Sequence, residues 1–185
     1  MITKPYIDGV DGDRLVERIS AGEIAARCTE IGEELTNLYG EEPVVALCVL
    51  RGAIFFYTDL VRCIRAPRLE LDIVRLSSYG QNTKSSGHVA IEAWPTTELR
   101  DKHILVIEDI IDSGLSMQCL LRQFDAVQVK SLRVCVLIDK KERRSCAVPI
   151  DYACFSLDSG FLVGYGLDYA QKYRHLPAIY ELTNP

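Results

Sequence analysis

What the 185-residue chain lacks narrows its function before any motif is read. No apolar run approaches the roughly 20 residues that cross a bilayer, so no membrane-spanning helix is expected. The N-terminal MITKPYIDGVDGD has no apolar core segment and does not read as a secretory signal. Histidine is scarce. His88, His103 and His175 are scattered without metal-ligand spacing and read as structural or surface residues. The net charge is −5, and no Lys/Arg footprint suits a polyanion, which argues against nucleic acid as a partner. No CxxC occurs among the seven cysteines, the count is odd, and most lie in apolar contexts. They read as buried free thiols in a reducing compartment, so a soluble cytoplasmic protein is expected. Repeats, low-complexity tracts and composition breaks are missing as well, and one domain over residues 1–185 is expected.

What is present has the order of an α/β protein. Ser20-Ala21-Gly22-Glu23 is a capping box, and Ile24, Cys28, Ile31, Leu35 and Leu38 follow at helical spacing until Gly40. Val44 to Leu50 (VVALCVL) is an unbroken apolar run, as in a strand covered on both faces. Arg51-Gly52 then turns into a helix expected over Ala53–Ile64, and Leu69–Leu76 is a third apolar strand. Ser77 to Gly87 (SSYGQNTKSSG) is polar and long for a connection, which points to a functional lid, with His88–Ala93 as the returning strand. Further strands are expected at Ser131–Ile138, Tyr152–Leu157, Leu162–Gly164 and Ala178–Leu182. This order predicts a doubly wound, mainly parallel sheet flanked by helices.

The most informative stretch is His103 to Ser116, HILVIEDIIDSGLS. The apolar run Ile104–Ile107 delivers two adjacent carboxylates, Glu108 and Asp109, to the carboxyl edge of a strand, where open α/β folds bind ligands. Paired carboxylates accept hydrogen bonds from vicinal hydroxyls such as those of a ribose. Ser113, Gly114, Leu115 and Ser116 then form a turn into a helix, with Leu115 and Cys119 expected on one face and Leu120, Leu121 and Phe124 widening its apolar side. Free backbone N–H groups at such a start suit a phosphate, and Gly114 permits close approach. Taken alone, each piece has a plainer reading: a strand that ends in acids, a βα turn at Arg51-Gly52, a surface lysine at Lys140, a hydrophobic strand with a stray acid at Phe161–Asp168.

Taken together, acid-acid-apolar-apolar-Asp-Ser-Gly-x-Ser after a buried strand resembles the phosphoribosyl pyrophosphate (PRPP) motif of the type I phosphoribosyltransferases. The Glu-Asp-Ile-Ile-Asp-Ser-Gly form is similar to the hypoxanthine-guanine branch. The resemblance extends from Val44 to Leu182 and implies a small hood and a mobile lid loop beside the sheet. It implies a pyrophosphate-binding turn at Leu50, Arg51 and Gly52, often with a non-proline cis peptide in the family, and Arg174 (in KYRHLP) reaching pyrophosphate. The implied base site comprises Lys140 donating to the purine 6-oxo group, Phe161 stacking on the ring and Leu162 reading its edge through its backbone. Lys141 is the alternative donor, one residue away. Asp168 is implied as a ligand of Mg²⁺ or its water shell, with Glu108 and Asp109 contributing mainly through the ribose. Ser78 and Tyr79 match the family's lid pair.

Three positions depart from the family pattern. Arg51 stands where Lys is frequent, Leu115 replaces a Lys or other polar residue of the phosphate loop, and Ser77 replaces a lysine common in some members. The implied reaction transfers the 5-phosphoribosyl group of PRPP to N9 of hypoxanthine or guanine, with Asp112 as general acid/base near the purine N7. A homodimer or homotetramer is implied. A non-catalytic PRPP-binding regulator of the same fold is the alternative function, and xanthine as a further substrate stays open.

Overall fold

The structure is a computed structural model that describes residues 6–9, 12, 14–78 and 89–183. Its centre is a six-stranded sheet. The strands are β3 (Val44–Leu50), β4 (Leu69–Ser78), β5 (Val89–Ala93), β6 (His103–Ile111), β7 (Ser131–Lys140) and β8 (Tyr152–Leu157). Their spatial order is β5-β4-β3-β6-β7-β8, and all neighbours are parallel except β5, which returns antiparallel along β4.

Burial of β3 and β6 on both faces follows from where the helices go. From β3, Val44, Ala46 and Cys48 pack with α1 (Ala21–Tyr39) and α2 (Ile54–Cys63). The alternate residues Val45, Leu47 and Val49 pack on the other face with Met117, Leu120 and Phe124, the first two from α3 (Leu115–Gln123). An apolar run without alternation is the sequence form of a strand covered on both sides. The buried face of α3 is thus carried by Met117 and Leu120, whereas Leu115 and Cys119 are only half-buried. That corrects the face expected from Leu115 and Cys119.

The order in which strands are added to the sheet reverses between β3 and β6. From β3 the path runs through α2 to β4, and from β6 through α3 to β7 on the opposite side. The gap between the carboxyl ends of β3 and β6 is therefore a topological switch point, where open α/β sheets form a crevice.

A second sheet, β1-β2-β10-β9, is antiparallel throughout and packs its own small core of Leu15, Val163, Tyr173, Ala178, Tyr180 and Leu182. It joins β1 (Tyr6–Asp8) and β2 (Arg14–Ile19) to β9 (Leu162–Val163) and β10 (Ile179–Leu182). It is the hood that the resemblance implied.

Helix α1 starts as its sequence indicates. Glu23 N donates to Ser20 Oγ at 3.3 Å, and Ser20 N donates to Glu23 Oε2 at 2.8 Å. Its seat on α2 depends on Gly32, where a Cβ would lie 2.4 Å from Cys63 Cβ and 2.9 Å from the Cys63 backbone. Cys28, Cys48, Cys135 and Cys154 lie in the core, and burial pushes the thiols of Cys28, Cys48 and Cys154 up to about 12. Such thiols are unreactive at neutral pH. All seven cysteines are free. No helix among the described residues is long and apolar enough to cross a membrane.

Gly32→Ala tests the helix contact. In an open helix interior the change would stabilise by about 1 kcal/mol. Here overpacking against Cys63 outweighs that gain, and a net loss of about 1–2 kcal/mol is expected in chemical denaturation.

Candidate active site

Strand β6 continues past Ile107 to Ile111, so Glu108 and Asp109 are part of the strand rather than beyond it. Glu108 borders one cavity and Asp109 another, yet the residues are only 8% and 9% exposed. Burial raises the Glu108 carboxyl, and the adjacent Asp109 charge raises it further. Burial also raises Asp109, against the hydrogen bond from Ile110 N to Asp109 Oδ1 at 2.8 Å and the charge of Arg174. Asp109 presses on the β3 turn. A Cβ at Gly52 would lie 1.7 Å from Asp109 Oδ2. Gly166 closes the same contact from the other side, at φ 103° with its missing Cβ 1.9 Å from Gly52 O. No residue larger than glycine fits at either place. The Leu50–Arg51 peptide is cis, and the Arg51 side chain is exposed.

Beyond Ile111 the chain turns around a cavity of about 130 Å³ lined by Glu108, Ile110, Ile111, Asp112, Ser113, Gly114, Ser116 and Met117. Gly114 caps α3 at φ 86°, and a side chain there would also strike Val148 and Cys146. Ser113 Oγ accepts from Leu115 N at 3.4 Å. Backbone N–H groups of a helix start and two serine hydroxyls thus line a phosphate-sized space, with no lysine side chain among them.

A second cleft of about 230 Å³ brings together residues from three distant stretches of sequence: Asp109, Ile110 and Asp112, then Lys140 and Arg143, then Gly160, Phe161, Leu162, Leu167 and Asp168. Lys140 is the last residue of β7, which runs two residues past the expected end at Ile138, and is 4% exposed. Its Nζ lies 3.9 Å from Asp112 Oδ2 and 3.3 Å from Glu142 Oε2. Lys141 points to solvent, with its side chain 64% exposed, so of the two lysines only Lys140 faces the cleft. Asp112 Oδ1 is buried without a hydrogen-bond partner among the described residues. Such an acceptor is costly unless a ligand donates to it. The Phe161 ring meets the edge of Tyr169 at 5.4 Å and 84°, which fixes its plane. Asp168 pairs with Arg174 Nη2 at 2.5 Å and accepts from Gln171 N at 2.8 Å, while Arg174 Nη1 donates to Gly166 O at 2.6 Å.

Of the expected site residues, Glu108, Asp112, Ser113, Gly114 and Ser116 line the first cavity, and Asp109, Asp112, Lys140, Phe161, Leu162 and Asp168 line the second. Gly52 and Arg174 adjoin them through Asp109 and Asp168, whereas Leu50, Arg51 and Leu115 line neither. Ser78 ends β4, with only its backbone described, and Tyr79 with the rest of the expected lid lies outside the described residues. Reasoning from sequence missed Arg143, which lines the second cleft, and Arg144, whose guanidinium ties the ends of β6 and β7 together. Both belong to a charged run that had no feature separating these two from a solvated loop.

Residues 16–170 match the phosphoribosyl transferase domain family. The chain belongs to the phosphoribosyltransferase family. It is 42% identical over 158 residues to the hypoxanthine-guanine-xanthine phosphoribosyltransferase of Tritrichomonas foetus, with 85% of each chain covered. To the hypoxanthine-guanine phosphoribosyltransferase of Bacillus subtilis it is 42% identical over 161 residues, covering 87% of this chain and 89% of that one. Among solved structures, a hypoxanthine phosphoribosyltransferase from Staphylococcus aureus superposes with a TM-score of 0.84 at 33% identity, covering 90% of both chains. The resemblance read from the residues and the expected fold are both borne out.

The raised Glu108 carboxyl gives a pH-dependent expectation. Below its ordinary pKa of 4.5 the group is neutral in both folded and unfolded chains and carries no penalty. As pH rises, the unfolded chain ionises first, so the folded protein loses stability until the pH passes the raised folded pKa. Glu108→Gln should therefore melt higher than the parent at neutral pH, with the difference closing toward pH 4.5. Equal melting temperatures across that range would show that the carboxyl is not desolvated.

Proposed function

We propose that the protein salvages purines by transferring the 5-phosphoribosyl group of PRPP to N9 of hypoxanthine or guanine, forming IMP or GMP and releasing pyrophosphate. The observation that carries this reading is the second cleft, where Asp109, Asp112, Lys140, Phe161, Leu162 and Asp168 border one space. In that reading Phe161 stacks on the base and the Leu162 backbone reads its edge. Lys140 donates to the 6-oxo oxygen, and adenine offers no acceptor there. Glu108 and Asp109 accept from the ribose hydroxyls, which offsets the cost of burying them. Ser113, Gly114, Leu115 and Ser116 hold the 5′-phosphate, mainly through backbone N–H groups, and Leu50, Arg51, Gly52 and Arg174 hold the pyrophosphate.

The bond from C1′ to pyrophosphate breaks as C1′ joins N9, and positive charge develops on the ribose ring. The unpartnered Asp112 Oδ1 is the acceptor for the purine proton at N7. Lys140 Nζ lies within ion-pair reach of Asp112 and holds the other carboxylate oxygen, Oδ2.

The residues also fit Mg²⁺. Among the described residues no three acidic, histidine or cysteine side chains form a protein-only cage. That is the usual case for Mg²⁺, which keeps waters and binds through one or two carboxylates and substrate phosphates. Asp168 would be the direct carboxylate, with Glu108 and Asp109 contributing mainly through the ribose. Bound with PRPP, the ion supplies positive charge to the leaving pyrophosphate.

We infer further that residues 1–185 act as one unit, since the hood-side Gly166 is in contact with Gly52 of the main sheet. Seven free cysteines suit a reducing compartment such as the cytoplasm. Exposed Ile54 and Phe55 on α2, with Leu71 and Ile73 on one face of β4, support a homodimer or homotetramer.

The test is a spectrophotometric assay with PRPP and Mg²⁺ against hypoxanthine, guanine, xanthine and adenine in parallel. Turnover is expected with hypoxanthine or guanine and not with adenine. PRPP binding without turnover on any base would replace this reading with a non-catalytic sensor. Asp112→Asn should lower kcat by roughly 10²-fold or more with little change in PRPP affinity. Near-parental turnover would remove Asp112 from the acid/base role.

A further inference from the structure

We propose that Arg144 is a positioning residue for this reaction, and that Arg144-Ser145-Cys146 forms a brace that aims the catalytic loop. This rests on the roles given above to Asp112 and Lys140. Arg144 lines neither cavity, yet its guanidinium reaches the end of β6 with the adjoining Asp112 and the end of β7. Nε donates to Asp112 O at 2.9 Å, and Nη2 donates to Ile111 O at 2.7 Å, to Asp139 Oδ1 at 2.6 Å and to Lys140 O at 3.1 Å. The next carbonyl is held as well. Ser113 O accepts from Ser145 N at 3.0 Å, Ser145 Oγ at 3.1 Å and Cys146 N at 3.4 Å.

Three consecutive carbonyls, those of Ile111, Asp112 and Ser113, are thus drawn toward residues 144–146. A trans peptide is planar, with its C=O and the following N–H pointing opposite ways. Holding these carbonyls outward turns the N–H groups of Asp112, Ser113 and Gly114 away from the brace and toward the phosphate side of the loop. The contact with Lys140 O fixes the base-reading lysine relative to Asp112 through the same planar group. A lysine at 144 has no fork and could not span these acceptors together.

The experiment compares Arg144→Met, Arg144→Lys and Arg27→Met, measuring kcat, KM for PRPP, far-ultraviolet circular dichroism and melting temperature. Arg27 is the control. It also donates to backbone carbonyls, Cys154 O at 3.2 Å and Ala153 O at 3.2 Å, but on β8 away from the crevice. Arg144→Met is expected to lower kcat by about 10²-fold, more than it raises KM for PRPP, since Ser145 and Cys146 still hold Ser113. Arg144→Lys should recover about 10-fold of that loss. Arg27→Met should lower the melting temperature while leaving kcat unchanged.

Retention of kcat within about 3-fold in Arg144→Met would overturn the proposal. An equal kcat loss in Arg27→Met would overturn it too, since the effect would then be general destabilisation. If Arg144→Met does not fold, Asp139→Asn, which weakens a single contact of the guanidinium, carries the test, with a smaller kcat loss expected and none overturning it. Asp112→Asn, assayed alongside, separates the two readings. Loss of turnover there with none in Arg144→Met removes the brace alone, and the reverse pattern removes the acid/base assignment of Asp112.

Discussion

Two carboxylates held out of water at the end of a central strand are the constraint around which the molecule is arranged. Glu108 and Asp109 are nearly buried, and burial raises both. An apolar lining would leave them as a liability, because desolvated charge is among the costliest features a fold can carry. The crevice between β3 and β6 lets polar ligand groups reach them. The pair Gly52 and Gly166 lets two backbone turns close on the Asp109 side chain where a single methyl group would collide. The fold supplies the crevice, and the glycines let its walls approach.

From this follows the placement of the helices. Because α2 and α3 leave the switch point on opposite faces, the turn after β3 and the turn after β6 face each other across one gap. The two turns proposed to hold pyrophosphate and phosphate, which belong to separate βα units, therefore lie on either side of one gap. The third side comes from the hood, where Phe161, Leu162 and Asp168 hang from an antiparallel sheet with its own core. The proposed base site is composite: Lys140 comes from the end of β7 and the apolar wall from the hood.

Much of this was legible in the residues, for definite reasons. VVALCVL and ILVI announce strands covered on both faces, and the capping box at Ser20 places the start of α1. The hood strand β2 was not legible. RLVERI is short and half polar, and its strand partners are β1 and, from the far end of the chain, β10, which sets Ile179 opposite Ile19. The α3 face was misjudged in part: Leu120 and Phe124 are buried as expected, but Met117 rather than Leu115 or Cys119 completes the buried face. Chemistry-bearing residues with a distinctive order, such as Glu108-Asp109 and Asp112-Ser113-Gly114, can be read in advance. Arg144 cannot, because its importance lies in acceptors 32 and 33 residues away, on another strand.

The charge balance shows where bulk composition stops being informative. A chain of net charge −5 does not suit a long polyanion, yet the proposed substrate is itself rich in phosphate. The cations assigned to it other than Arg51 are few and already engaged: Lys140 with Asp112 and Glu142, Arg174 with Asp168. Under the proposed roles, a divalent cation and an anionic pyrophosphate arriving together can take the two halves of the Arg174–Asp168 pair, the cation going to the carboxylate and the anion to the guanidinium. Neither charge is then left bare at any stage, which is the condition for handling charge inside a partly desolvated site. At the phosphate loop the same economy appears in another form. Leu115 contributes no charge there, and the anion would be met by backbone N–H groups whose direction is set by the carbonyls held on the far side of each peptide plane.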